Sequence, residues 1–151
     1  MDVSVRPQCS DSDMNWHPWR SARDDYPHIA IDCTQRLSPG TMGLNGERTI
    51  WIHRGLTQAE RRCTLTHELL HREMPDADEE TIERETARRL ITLPQLVDAF
   101  RWLRHPSLPD LADHLWVDEQ TAWTRMQNLD PIEVAEIEAA TEGDWSWSEV
   151  A

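Results

Sequence analysis

The chain has 151 residues, a mean hydropathy of −0.68 and a net charge of −13, which fits one domain with a sizeable core. No apolar run approaches the roughly 18 residues of a membrane span, and residues 1–13 lack the basic-then-apolar pattern of a signal peptide. Cys9, Cys33 and Cys63 are odd in number and form no Cys-x-x-Cys, which points to a reducing cytoplasm and away from a disulfide framework or a cysteine zinc site.

In chain order, residues 1–12 are expected to be disordered. Trp16, Trp19 and Ala22 at helical spacing predict a short helix over 13–24, with Pro18 in its first turn. Residues 28–33 alternate with period two and predict a strand. Residues 41–44 and 48–53 flank Asn45-Gly46, a hairpin signal, with Ile50 and Ile52 facing the core and Trp51 the other side. Three short antiparallel strands result.

Thr57-x-x-Glu60 is a capping box that opens a helix to about Glu73, broken by Met74-Pro75-Asp76. Asp76 to Asp78 can cap the next helix, whose stripe Ile82, Thr86, Leu90 and Leu93 runs to Pro94. A helix over 96–103 follows, then a connector over 106–109 and two short helices over 110–116 and 118–129. Of these last, Leu111, Leu115, Trp123 and Leu129 are expected to pack together. A final helix over 131–140 is expected to turn Ile132, Ala135 and Ile137 inward, and residues 142–151 read as an acidic tail. The fold class is α+β: a core over 13–104, with a three-stranded antiparallel sheet packed on the 57–73 helix, and a helical part over 105–141.

The chemistry lies in His67-Glu68-Leu69-Leu70-His71. Residues four apart on a helix share a face, so His67 and His71 can aim imidazole nitrogens at one zinc ion. Glu68 is placed to take a proton from an activated water. A catalytic site needs a third protein ligand. No further histidine lies near, and the acids that open the next helix are the source: Asp78, Glu79, Glu80, Glu83 and Glu85. Glu79 and Glu83 share a face, but Asp76-x-x-Glu79 is also a possible capping box that would occupy Glu79. Geometry alone leaves these acids open. His53 and His105 are candidates to stabilise an oxyanion.

Several stretches together resemble the ImmA/IrrE-type metallopeptidases, in the short form encoded by actinobacterial phages and prophages. They are residues 27–31, Arg48-Thr49-Ile50-Trp51-Ile52, the run 58–71 around the motif, Thr86-Ala87-Arg88-Arg89-Leu90-Ile91, and 111–117. The resemblance covers residues 16–138. It implies a small sheet over a zinc helix and one zinc ion per chain. The family's third ligand opens the pattern Glu-x-x-Ala-Asn-x-x-Ala. With Leu90-Ile91 in the leucine-rich stretch that follows, it falls at Glu79, although Ile82, Glu83 and Thr86 stand where the family has Ala, Asn and Ala. A shift of one chooses Glu80, and Glu83 is a further alternative.

The resemblance further implies zinc-dependent cleavage of a helix-turn-helix repressor, lifting repression for a phage or mobile element in a bacterial cytoplasm. The competing reading is a non-enzymatic module that sequesters such a repressor around a structural or vestigial zinc site. Direct DNA binding is not expected. Residues 105–151 hold 11 acids against Arg125 alone, net −10, and phosphate contacts need cations. An acidic face can instead meet a basic protein partner, with Glu133, Glu136 and Glu138 as the docking acids.

Overall fold

A computed structural model describes residues 16–150. The expectation for 1–12 lies outside the described residues, which form seven helices and one three-stranded sheet, an α+β arrangement. Among them no helix is long and apolar enough to cross a membrane.

Helix α1 (Pro18–Asp25) starts on Pro18, where a missing N–H costs nothing. Strands β1 (Ala30–Asp32), β2 (Gly43–Asn45) and β3 (Thr49–Ile52) form a sheet of order β1-β3-β2. β2 pairs antiparallel with β3, but β1 pairs parallel with it, Ile31 opposite Ile50, so the sheet is mixed and not wholly antiparallel. Alternation dictates which faces are buried and is the same for either direction. Here β2 itself sits within the crossover 33–48 that returns the chain to β1's side, so β3 takes the centre.

The hairpin turn also differs. Gly46 N–H donates to Thr49 O at 2.7 Å, which makes Glu47-Arg48 the turn and leaves Asn45 in the strand. Gly46 is needed because a Cβ there would lie 2.6 Å from the Trp51 ring. Ile50 and Ile52 are fully buried, as the alternation predicts. Gly43 lies opposite Ile52 and Asn45 opposite Ile50, so both share the face that meets the next helix.

That helix, α2 (Gln58–Glu73), opens on the predicted capping box: Glu60 N–H donates to Thr57 Oγ1 at 3.1 Å and Thr57 N–H to Glu60 Oε1 at 2.8 Å. Leu65 and Leu69 pack with Ile50, Ile52, Ile29 and Ala22 beneath the sheet. Cys63 joins a second and larger core of the C-terminal helices around Leu96, Phe100, Leu111 and Ile137. Helix α2 therefore lies between two hydrophobic cores.

Helix α3 (Glu79–Leu90) is capped by Asp78, not Asp76, through Thr81 N–H at 2.8 Å. It stops at Leu90, because Thr92 and Gln95 form a capping box for α4 (Leu93–Leu103) with Pro94 in its first turn. Helix α5 (Leu108–Leu115) begins two residues before the expected start, with Pro109 inside its first turn. Trp116 then takes a left-handed conformation, φ 60°, and Asp118 caps α6 (Glu119–Gln127). Trp123 is partly exposed and donates to Glu149 at 2.9 Å, while Ala122 and Met126 face the core. Residues 142–150 fold back. Trp145 meets Phe100 edge-on with centroids 5.0 Å apart, and Ser148 pairs with Ser107.

Helix α7 (Pro131–Thr141) is rotated from the expected orientation. Ile137 is buried, but Ile132 is 71% exposed and Ala135 is exposed. The inward stripe is Glu133, Ile137 and Thr141, four residues apart. The cause is Arg125, 2% exposed, whose Nε donates to Ile91 O at 2.7 Å and whose NH1 donates to Glu133 Oε1 at 3.0 Å. A buried guanidinium requires a counter-charge. Glu133 supplies it and is thereby withdrawn from any docking surface.

Glu133→Ala leaves Arg125 buried without its counter-ion and should lower the free energy of unfolding by about 3–5 kcal/mol in urea titrations. A loss within the roughly 0.5 kcal/mol of an ordinary surface change contradicts this. The Arg125 hydrogen bonds hold the Glu133 carboxyl below its usual range. This contribution is full above the ordinary glutamate pKa, about 4.3, and is lost as pH falls through the depressed folded value. Glu133→Gln should remove that part of the acid-side decline.

Candidate metal centre

On α2, Thr64, His67, Glu68 and His71 recur at the spacing of one helix face. The neighbouring Leu65 and Leu69 are buried under the sheet, which fixes the helix rotation and points the polar face at β2 and α3. His67 and His71 are half-buried, with ring centroids 4.8 Å apart and their Nε2 atoms 3.2 Å apart.

The short connection 74–78 brings the first residue of α3 over this pair. Glu79 Oε2 lies 2.6 Å from His67 Nε2, and its Oε1 lies 3.0 Å from His71 Nε2. Because Asp78 caps the helix, the Glu79 carboxylate is not consumed by a capping box. Below the site, Arg89 donates to Glu73 through NH1 at 2.9 Å and NH2 at 3.2 Å, tying the end of α2 to α3. That contact holds the Glu73 carboxyl below its usual range.

Among the described residues, His67, His71 and Glu79 are the metal-type donors that converge. The donor set fits zinc. Bonds of about 2.0–2.1 Å at a tetrahedral centre put ligand atoms about 3.3 Å apart, and the observed separations of 2.6–3.2 Å need to open by only tenths of an ångström. Two imidazoles and one carboxylate, with a cleft on the remaining side, form the donor count of a catalytic site and not of a closed structural one.

The alternatives to Glu79 lie elsewhere. Glu80 pairs with Arg84 at 3.2 Å. Glu83 is exposed, lines the cleft and does not converge with the histidines. His53 Nδ1 accepts from Leu37 N–H at 2.9 Å. His105 lies 2.8 Å from Asp144 Oδ1 and 2.7 Å from Ser146 Oγ, so it ties down residues 144–146. Neither histidine lines the cleft.

Glu68 stands outside the donor cluster and faces a cleft of about 490 Å³ bounded by β2, α2, α3 and the start of α6. Two residues that sequence reasoning missed position it. Gly43 brings β2 so close that a Cβ would lie 2.7 Å from Thr64 Cγ2 and 3.1 Å from Glu68 Oε2. Asn45 Nδ2 donates to Glu68 O at 2.7 Å and reaches Glu68 Oε1 at 3.3 Å. Arg72 donates to Gly46 O and fastens the same hairpin to α2. Reading Asn45-Gly46 as turn chemistry hid this role. Cys63 also lines the cleft, but burial pushes its thiol up to about 11 and Asp118 N–H points at its sulfur. Its thiol is therefore neutral near pH 7, and its sulfur does not converge with the His67, His71 and Glu79 donors.

The geometry ranks the acids. Glu79→Gln should weaken zinc affinity by more than about 100-fold, since even outer-shell changes cost 10–100-fold, while Glu80→Gln and Glu83→Gln bind zinc as the parent does. Competition with a chromophoric chelator measures this. A Glu83→Gln variant that loses zinc while Glu79→Gln retains it overturns the ranking.

Compared with known proteins, the chain matches no family model, no curated protein and no solved structure.

Proposed function

We propose that this chain is a zinc-dependent endopeptidase, with His67, His71 and Glu79 as ligands and Glu68 as general base. The observation that carries the reading is the convergence of those three donors beside the Glu68 carboxylate, which stands outside the donor set, at the mouth of a cleft edged by a strand. A zinc ion bound there would supply Lewis acidity, polarising a carbonyl and lowering the pKa of water towards neutrality.

The chain's own residues do the rest. Glu68 takes a proton from the attacking water and delivers it to the leaving amine nitrogen as the C–N bond breaks. β2 is an edge strand. Gly46 and Met42 bond inward to Thr49 and His53, so by antiparallel alternation the amide and carbonyl groups of Gly43 and Asn45 face outward. They can pair with an extended substrate by strand addition, which places its backbone across the face of Glu68.

The resemblance to ImmA/IrrE-type metallopeptidases supports a helix-turn-helix repressor of a phage or mobile element as the substrate. The acidic region 105–151 supports a basic protein partner over DNA. Glu136 and Glu138 are exposed there, and Glu133 is not.

Glu68→Gln separates base from ligand: it should retain one zinc per chain and lose cleavage of the repressor, by about 10²–10⁴-fold. Cleavage at the parent rate excludes the chemistry. Tight repressor binding without cleavage by the zinc-loaded parent supports the non-enzymatic module instead. Association of the repressor should also slow as salt rises, since the Debye length is only about 10 Å at 0.1 M, and Glu136→Gln with Glu138→Gln should slow it further. Stopped-flow rates that ignore both salt and charge deny the acidic face a docking role.

A further inference from the structure

We infer that Asn45 is a positioning residue for Glu68, anchoring one carboxylate oxygen so that the other faces the cleft. This rests on the metal-centre reading above and adds to it a residue outside the His-Glu-x-x-His motif.

Asn45 Nδ2 makes two contacts, 2.7 Å to the Glu68 main-chain carbonyl and 3.3 Å to Glu68 Oε1. Both partners are acceptors, so the amide must present its NH₂ group and not its oxygen. A carbonyl in mid-helix already accepts from the residue four positions on, and its second lone pair serves Asn45. The same side chain thus grips the backbone and the carboxylate of one residue, which fixes the carboxylate relative to the helix that carries both histidines. Glu68 Oε1 is the anchored oxygen. Oε2 lies on the Gly43 side, 3.1 Å from where a Cβ at that position would stand, and glycine leaves that oxygen uncovered.

The arrangement also sets register. Asn45 is in β2, and its own amide and carbonyl are among the outward-facing groups available to an extended peptide. One residue therefore touches the base with its side chain and offers the substrate its main chain. A general base works only within hydrogen-bond reach of the proton it takes, and an exposed glutamate without an anchor samples several rotamers. A turn-filling asparagine would leave Glu68 unaffected when removed. A positioning asparagine would not.

The test avoids the unidentified substrate by using acetohydroxamate, a small bidentate zinc ligand whose hydroxyl proton is accepted by a neighbouring carboxylate. Its affinity for the zinc-loaded protein is measured by calorimetry for the parent, Asn45→Ala, Asn45→Asp, Glu68→Gln and the Asn45→Ala/Glu68→Gln double variant. Zinc content and circular dichroism are recorded alongside. All five should hold one zinc. Asn45→Ala should weaken acetohydroxamate binding by about 3- to 10-fold, the range of one modest hydrogen bond. Asn45→Asp should weaken it further, because a carboxylate would face two acceptors. In the Glu68→Gln background Asn45→Ala should change nothing more, a non-additivity that a merely structural residue does not produce.

Parent-like affinity in Asn45→Ala while Glu68→Gln weakens binding overturns the inference and leaves the metal centre standing. Equal losses in both backgrounds overturn it too, because they mark a general effect on the hairpin. Acetohydroxamate binding that ignores Glu68→Gln removes the base role and the inference together. A parent that takes up no zinc removes the metal centre itself.

Discussion

The arrangement depends on how α2 is held. Leu65 and Leu69 lie beneath Ile50 and Ile52, and all four side chains are essentially inaccessible. Each such burial is worth about 1.5–3 kcal/mol, and together they leave the helix one rotational setting. Turning α2 by a single residue would move these leucines out from under the sheet and carry His67, Glu68 and His71 away from β2 and α3. The capping box at Thr57 and Glu60 fixes where the helix begins, so its phase along the axis is set as well. An apolar contact thus fixes the place of a polar site with which it shares no atoms.

Against that fixed helix, two neighbours complete the site by different means. α3 is tied at the far end by Arg89 and Glu73 and near the site by the short connection after Met74, which puts Glu79 between the two imidazoles. β2 approaches through the absence of a side chain at Gly43, and a methyl group there would meet Thr64 Cγ2 at 2.7 Å. The donor triad therefore draws its carboxylate from a helix start, while Glu68 takes its setting from a strand allowed into near contact. Losing either neighbour leaves the motif on α2 intact and the site incomplete.

Local signals were legible in the sequence and long-range ones were not. The capping box at Thr57, the break at Met74-Pro75 and the buried Ile50 and Ile52 depend on neighbours a few residues away, and each stands where the pattern placed it. The parallel pairing of β1 with β3 depends on how residues 33–48 cross the sheet, which no alternation encodes. The orientation of α7 depends on Arg125, eight residues before the glutamate it draws inward, so a stripe sought among apolar residues passed over Glu133. His67, Glu68 and His71 were visible as a helix face. Glu79 is one of several acids at this point of the sequence, and it is the cap at Asp78 that leaves its carboxylate to the histidines. Asn45 carried a strong turn signal, and its contact with Glu68, 23 residues on, has no counterpart in local sequence.

Zinc K-edge X-ray absorption of the zinc-loaded protein reads the coordination of the metal itself, because it counts ligands without needing a substrate. The expected shell is two imidazole nitrogens at about 2.0–2.1 Å, one carboxylate and one exchangeable light atom. The carboxylate contribution should be unchanged in Glu68→Gln and lost in Glu79→Gln. A shell of four protein ligands, or one that loses its carboxylate in Glu68→Gln, would rule out an open His67, His71 and Glu79 site.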